Sequence, residues 1–158
     1  MSETPLPIES FIQPATLALL GGPPVVLKPT TRKRSAAGEE TRLPRSFRLK
    51  YSAVENLGKF LGESAVRIMR IIESNERTAQ RRKEQGTLNV DESDRIARIA
   101  RVTQRAIEAF GDKGQAREWI KRPNRTFQGF APLGLLSTDA GAALVTDELG
   151  RIEYGDLY

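Results

Sequence analysis

Six side chains within one short stretch, Arg77, Thr78, Gln80, Arg81, Arg82 and Lys83, have the chemistry of a nucleic-acid reader. Arginine pairs bidentately with guanine and glutamine with adenine, so Arg77, Thr78 and Gln80 are placed at base edges. Arg81, Arg82 and Lys83 suit phosphates, which fix register without reading sequence. The competing reading is a basic amphipathic helix whose charges are merely solvated, since Glu76 and Glu84 offset part of the charge. No catalytic set accompanies these residues. The chain has no histidine and no cysteine. That removes Ser-His-Asp and Cys-His nucleophiles, the usual zinc sites and any disulfide. A carboxylate-only metal site or acid/base pair stays open, but no motif marks one. Gly111-Asp-Lys-Gly114 lacks the spacing of a phosphate loop. The expectation is a protein that is not an enzyme, with no catalytic residue, no metal and no cofactor.

A second set closes the sequence: Arg151, Tyr154, Gly155, Asp156, Leu157 and Tyr158. Amphipathic aromatics beside carboxylates suit a pocket that takes the ring while the hydroxyl hydrogen-bonds. The alternative is that Ile152 and Tyr154 pack back on the domain and leave only Leu157 and Tyr158 free. The two ends of the sequence differ in sign. The net charge is +5 over 158 residues. Residues 1–50 hold eight Lys/Arg against four Asp/Glu, whereas residues 126–158 hold only Arg151 against Asp139, Asp147, Glu148, Glu153 and Asp156. Nucleic acid prefers the first and a basic or polar protein pocket the second.

Helices must position both sets. Residues 1–46 hold seven of the nine prolines, which predicts an extended, basic arm or linker with a cluster at Arg32-Lys33-Arg34 and room for a short docking motif at Ile8–Leu20. A helix is predicted from Ser52, capped with Glu55 and broken by Gly62, with Val54 and Leu57 inward. A second covers Ser64–Ile72 with Val66, Met69 and Ile72 inward. A turn at Glu73-Ser74-Asn75 leads to a third over Glu76–Gln85, closed by Gly86. Short helix, turn and basic helix outline a helix-turn-helix over residues 47–90. Residues 91–158 open on a long amphipathic helix capped by Asn89 and Glu92 and ended by Gly111. Ile96, Ile99, Ala106, Ile107 and Phe110 share one face, and Arg98, Arg101 and Arg105 form a basic stripe, with Asp94 pairing to Arg98. Asp112 and Gln115 cap a helix bearing Trp119, a core tryptophan first and a partner hot spot second. Thr138 and Asp139 start a last helix with Leu144, Val145 and Leu149 apolar, stopped at Gly150. The fold class is all-α. No segment is long and apolar enough to span a membrane and no signal peptide is evident, so the expected location is the cytoplasm.

Residues 92–155 also carry a resemblance. Glu92, Ser93, Asp94, Arg95, Phe110, Gly111, Trp119, Pro123, Asn124, Gly129, Pro132, Leu133, Thr138, Gly141, Leu149, Tyr154 and Gly155 fall in the order seen in the toxin-binding domain of the Xre/MbcA/ParS antitoxin family. Arg77, Thr78, Arg81, Arg82, Gly86 and Leu88 resemble its Xre-type helix-turn-helix. The resemblance implies an antitoxin of a type II toxin–antitoxin system. Its partners would be a cognate toxin encoded by the adjacent gene, of the NAD-consuming RES-domain kind, and operator DNA of the shared operon. Tyr154, Gly155, Asp156, Leu157 and Tyr158 would plug the toxin's active site. A homodimer is expected, because paired recognition helices must meet half-sites about 34 Å apart. The alternative is a DNA-binding transcriptional regulator without a toxin partner, and a third reading is an adaptor working through its Pro-rich arm.

Overall fold

The computed structural model describes residues 12–22, 25–26 and 47–155. In chain order the elements are α1 (Pro14–Leu20), β1 (Val25–Val26), β2 (Phe47–Arg48), α2 (Tyr51–Leu61), α3 (Ala65–Ile71), α4 (Glu76–Gln85), α5 (Val90–Phe110), α6 (Lys113–Lys121), a 3-10 turn at Arg125–Phe127, α7 (Pro132–Leu135) and α8 (Asp139–Tyr154). The class is all-α; β1 and β2 form only a two-residue antiparallel ladder, Val25 opposite Arg48 and Val26 opposite Phe47. None of the described helices is long and apolar enough to cross a membrane.

α5 is the central helix, packed against α1, α2, β2, α6 and α8. Asn89 and Glu92 form a full capping box at its start: each side chain accepts the other's backbone N–H, at 2.7 and 2.9 Å. Gly111 ends it in the left-handed conformation, φ 65°. Ile96, Ile99, Ala100 and Ala106 are fully buried. They join Leu57, Leu61, Ile68 and Met69 of α2 and α3, and Ile120, Leu136, Val145 and Leu149 from the later elements, in a single apolar core. α5 meets the earlier α1, α2 and β2 as well as the later α6 and α8. The expected boundary between residues 90 and 91 therefore falls at the start of a helix that both halves share. A buried polar joint fixes its first turn. Ser93 Oγ accepts the Leu49 N–H at 2.9 Å and donates to the Asn89 carbonyl at 2.6 Å.

Several local expectations are corrected. Residues 14–20, predicted to be extended, form a helix. Pro14 stands at its first turn, where the missing N–H costs nothing, and Gly21 ends it at φ 79°. Ile12, Leu17 and Leu20 are buried in the chain's own core, so the described part of Ile8–Leu20, expected as a docking motif, packs on the same chain. The Arg32-Lys33-Arg34 cluster lies outside the described residues. α2 starts at Tyr51 with Lys50 as its N-cap, so Ser52 lies inside the helix and makes no box with Glu55; Tyr51 N–H donates to the Gly86 carbonyl at 2.9 Å, beside a Lys50–Thr87 bridge. Val66 is exposed, since Ile68, Met69 and Ile72 already make the inward stripe of α3. α8 passes through Gly150 to Tyr154, and Gly155 caps it at φ 72°. A half-buried Ile152 and a bond from Arg105 to Glu153 hold the last turn in place. Leu144 is exposed. Arg98 reaches the Asp139 carboxylate at 2.6 Å and the Ser137 carbonyl at 3.0 Å rather than Asp94, because α8 starts beside it.

Candidate functional site

α3, the turn at 72–75 and α4 form the expected helix-turn-helix. Ser64 Oγ caps α3 by accepting the Arg67 N–H, and Asn75 Oδ1 caps α4 by accepting the Thr78 N–H at 2.8 Å. The turn is tight enough to force Glu73 to φ 63°, a conformation that glycine adopts freely and glutamate does not. α4 is almost wholly polar, and its one fully buried residue is Ala79. With 100° between successive residues, Ala79 and Arg82 share the inward side, while Arg77, Gln80, Arg81 and Glu84 share the opposite one.

The sequence-predicted DNA residues thus divide. Arg77, Gln80 and Arg81 are exposed and line an open concavity of about 500 Å³ with Asn75, Thr78 and Glu84. Thr78 is half-buried at its rim, and Lys83 is exposed on the flank. Among the described residues Arg77, Arg81 and Lys83 make no ion pair. The two nearby acids are engaged: Glu76 holds Arg70 at 2.8 Å and Glu84 accepts from Gln80 Nε2 at 2.9 Å. Arg82 goes elsewhere. Its Nε donates to Glu92 Oε2 at 2.7 Å, with both side chains largely covered (13% and 10% exposed). The guanidinium expected at a phosphate is turned into the body of the protein.

The second candidate surface is at the other end. Trp119 lies between Phe110 and Phe127, with ring centroids at 5.7 and 6.3 Å, so it packs as a half-buried core residue. Thr126 Oγ1 bonds the Glu148 carboxylate at 3.2 Å and holds the 125–130 turn against α8. Phe130, Leu144 and Tyr154 are 63%, 59% and 80% exposed. Tyr154 therefore does not pack back on the domain. Arg151 is exposed and pairs with Glu148 at 3.1 Å. Gly155 is the cap of α8, and Asp156, Leu157 and Tyr158 lie outside the described residues. The Arg105 guanidinium hydrogen-bonds Glu153 and holds its carboxyl below the usual carboxylate range, while the same bond raises Arg105. Asp94 is shifted the other way: partial burial raises it, against the opposing pull of Arg101.

Sequence reasoning missed the Arg82–Glu92 pair and the exposure of Phe130 and Leu144. Glu92 was visible only as a cap, and nothing local says that a residue ten positions earlier folds back to it. Phe130 and Leu144 carry no signal in a periodicity, because an outward apolar residue looks like an inward one until the packing is known.

Comparison with known proteins gives two consecutive matches. Residues 39–101 match the antitoxin Xre-like helix-turn-helix domain. Residues 105–155 match the antitoxin Xre/MbcA/ParS C-terminal toxin-binding domain. Three curated relatives are each called antitoxin Xre. The one from Photorhabdus laumondii is 45% identical over 71 residues, 44% of this chain and 48% of the relative. The one from Yersinia enterocolitica is 42% identical over 77 residues, 48% and 52% respectively. The one from Pseudomonas putida is 40% identical over 68 residues, 43% of each. The matched stretch spans about half the length of these relatives.

Proposed function

We propose, from a chain that carries both domains of the Xre/MbcA/ParS antitoxin family in order, that this protein is the antitoxin of a type II toxin–antitoxin system. Its C-terminal part binds a cognate toxin, and its α3–α4 part binds operator DNA and represses the shared operon. It acts by occupancy, as a non-enzymatic blocker. The toxin is of the NAD-consuming RES-domain kind, encoded beside this chain, and residues beyond α8 fill its active site. The protein works as a dimer, because operators present two half-sites to paired recognition helices.

The observation that carries this reading is the end of α8. Tyr154 stands 80% exposed on a helix that is otherwise pinned to α5, with the Gly155–Tyr158 segment following directly. A helix that ends on an exposed aromatic, followed in sequence by Asp156, Leu157 and Tyr158, suits the blocking of a polar pocket. The opposite charge of the two ends adds support. Arg77, Arg81 and Lys83 face outward on α4, whereas residues 126–155 hold Asp139, Asp147, Glu148 and Glu153 against Arg151 alone, with Arg98 and Arg105 of α5 pairing with Asp139 and Glu153.

The experiment is a co-expression of the tagged chain with the product of the adjacent gene, repeated with a chain ending at Gly155. That truncation leaves α8 and the Arg105–Glu153 pair intact. The full chain should retain the neighbour and protect growth, and the truncated one should lose protection. Equal protection by both forms would remove the blocking role of Asp156–Tyr158. Retention of no neighbour by either form would remove the toxin partner, leaving a DNA-binding regulator.

A further inference from the structure

We propose that Arg82 and Glu92 are the positioning pair that sets the rotation of α4 about its own axis, and so the angle at which Arg77, Gln80 and Arg81 meet DNA. The proposal rests on the DNA-binding reading of α4 and says what regulates that site's geometry.

The need for such a pair follows from how little else holds the helix. α4 buries one methyl group, that of Ala79. Its first turn is closed by its own cap, Asn75 Oδ1 accepting the Thr78 N–H, and its far end is tied to α2 by the Gly86 carbonyl that accepts from Tyr51 N–H. The Arg70–Glu76 pair at the front is exposed to solvent (59% and 76%), and such pairs constrain little. End anchors define where a helix lies but leave its rotation soft, and one alanine is a poor key. Arg82 supplies the missing key, because among the described residues it is the one charged side chain of α4 that is both largely covered and paired with another element.

Its partner is organised in advance. Glu92 Oε2 already accepts the Asn89 N–H at 2.9 Å, and the Glu92 N–H is held by Asn89 Oδ1 at 2.7 Å. The carboxylate is therefore part of the first turn of α5, not a mobile surface group. Arg82 Nε meets it at 2.7 Å, and Nη1 donates back to Gln85 Oε1 at 3.0 Å, so the planar fork is held at two points. Rotating α4 would break the Glu92 contact, while the Gln85 bond lies within α4 and orients the guanidinium toward it. Arg77 and Arg81 lie on the far side of the helix from this lock, so any rotation moves them across the groove by the same angle.

A buried ion pair is weak grounds for stability, since desolvation offsets much of its attraction and an apolar replacement is often neutral. That separates a positioning role from a structural one. In the double variant Arg82→Met, Glu92→Gln, methionine keeps the apolar stem and the glutamine oxygen still accepts the Asn89 N–H. Its urea midpoint should stay close to wild type. Its affinity for a duplex selected by the wild type from random sequences should fall at least tenfold, while binding to bulk competitor DNA changes little. Arg82→Lys, which keeps the charge but loses the fork, should fall in between. Wild-type affinity in the double variant would overturn the proposal. Residual dipolar couplings make the second arm: the amides of α4 should reorient relative to α2 and α5 in the double variant. If the wild type selects no duplex, the DNA reading fails by itself, and the couplings alone decide the pair. Unchanged couplings in α4 would overturn the positioning role whatever the DNA result.

Discussion

Gly141 sits where the α7–α8 turn passes its own backbone. A Cβ there would lie 1.9 Å from the Leu135 carbonyl oxygen, inside any van der Waals distance. Gly141→Ala must therefore displace the α8 N-terminus, and it should cost about 1–3 kcal/mol, read as a fall in the urea midpoint. An unchanged midpoint would mean that the turn yields freely. Glu73 poses the reverse case. Its left-handed backbone costs on the order of 1 kcal/mol for a residue with a Cβ. Its carboxylate reaches Arg95 only at 3.9 Å and is mostly exposed, so little is lost with it. Glu73→Gly should stabilise the protein by about 1 kcal/mol; destabilisation would show that the Arg95 contact matters more than the backbone. Glu153 gives a pH signature. Its folded pKa lies below the unfolded value of about 4.3, so its contribution is complete above that pH and is lost as pH falls through the folded value. Glu153→Gln should melt below wild type at pH 7, and the gap should close as pH falls through the lowered folded pKa. A gap that persists in acid would assign the effect to something other than the Arg105 pair.

At the scale of elements, α1 shows what proline counts conceal. Proline density predicted an extended segment, yet a proline at the first turn starts a helix as readily as proline elsewhere ends one. The decisive quantity was the burial of Leu17 and Leu20, which depends on α2 and α5 and is not local. Leu20→Ala should cost about 2–5 kcal/mol in chemical denaturation if α1 is docked as described. A cost near zero would mean that α1 leaves the body readily. α4 was legible to the residue and α5 to within one residue at its start, because their limits are written by Asn75, Gly86, Asn89, Glu92 and Gly111, whose signals are short-range. The end of α8 was not. Gly150 reads as a stop by itself, and only the tertiary anchors at Ile152 and Glu153 carry the helix past it. Of the basic residues expected at DNA, Arg77, Arg81 and Lys83 are exposed and Arg82 is not. Arg82 has the same chemistry as Arg81, but a step of 100° turns it from the exposed face to the body of the protein.

For the whole molecule, the important fact is that one apolar core runs from Ile12 to Leu149. The two family matches meet between residues 101 and 105, inside α5. Unfolding should therefore be a single cooperative transition, with coincident midpoints from far-ultraviolet circular dichroism and Trp119 fluorescence. A fragment starting at residue 105 lacks most of α5 and should not fold alone. Two separated transitions would show that the core is divisible. The fold class was visible beforehand because caps and periodicity are local. The unity of the core was not, because it is a property of one helix having partners on several sides.

A helix held in common has a consequence for descent. Adding one residue between Arg101 and Arg105 would turn everything after it by about 100° relative to everything before. Adding seven would restore the phase to within about 20° while lengthening the helix by about 10 Å. Lineages that exchanged either half by recombination would have survived only when the crossover kept the count from Glu92 to Arg105, or altered it by nearly whole turns. Deletions and insertions should accordingly be scattered through the loops of such chains and be rare, and quantised, within α5.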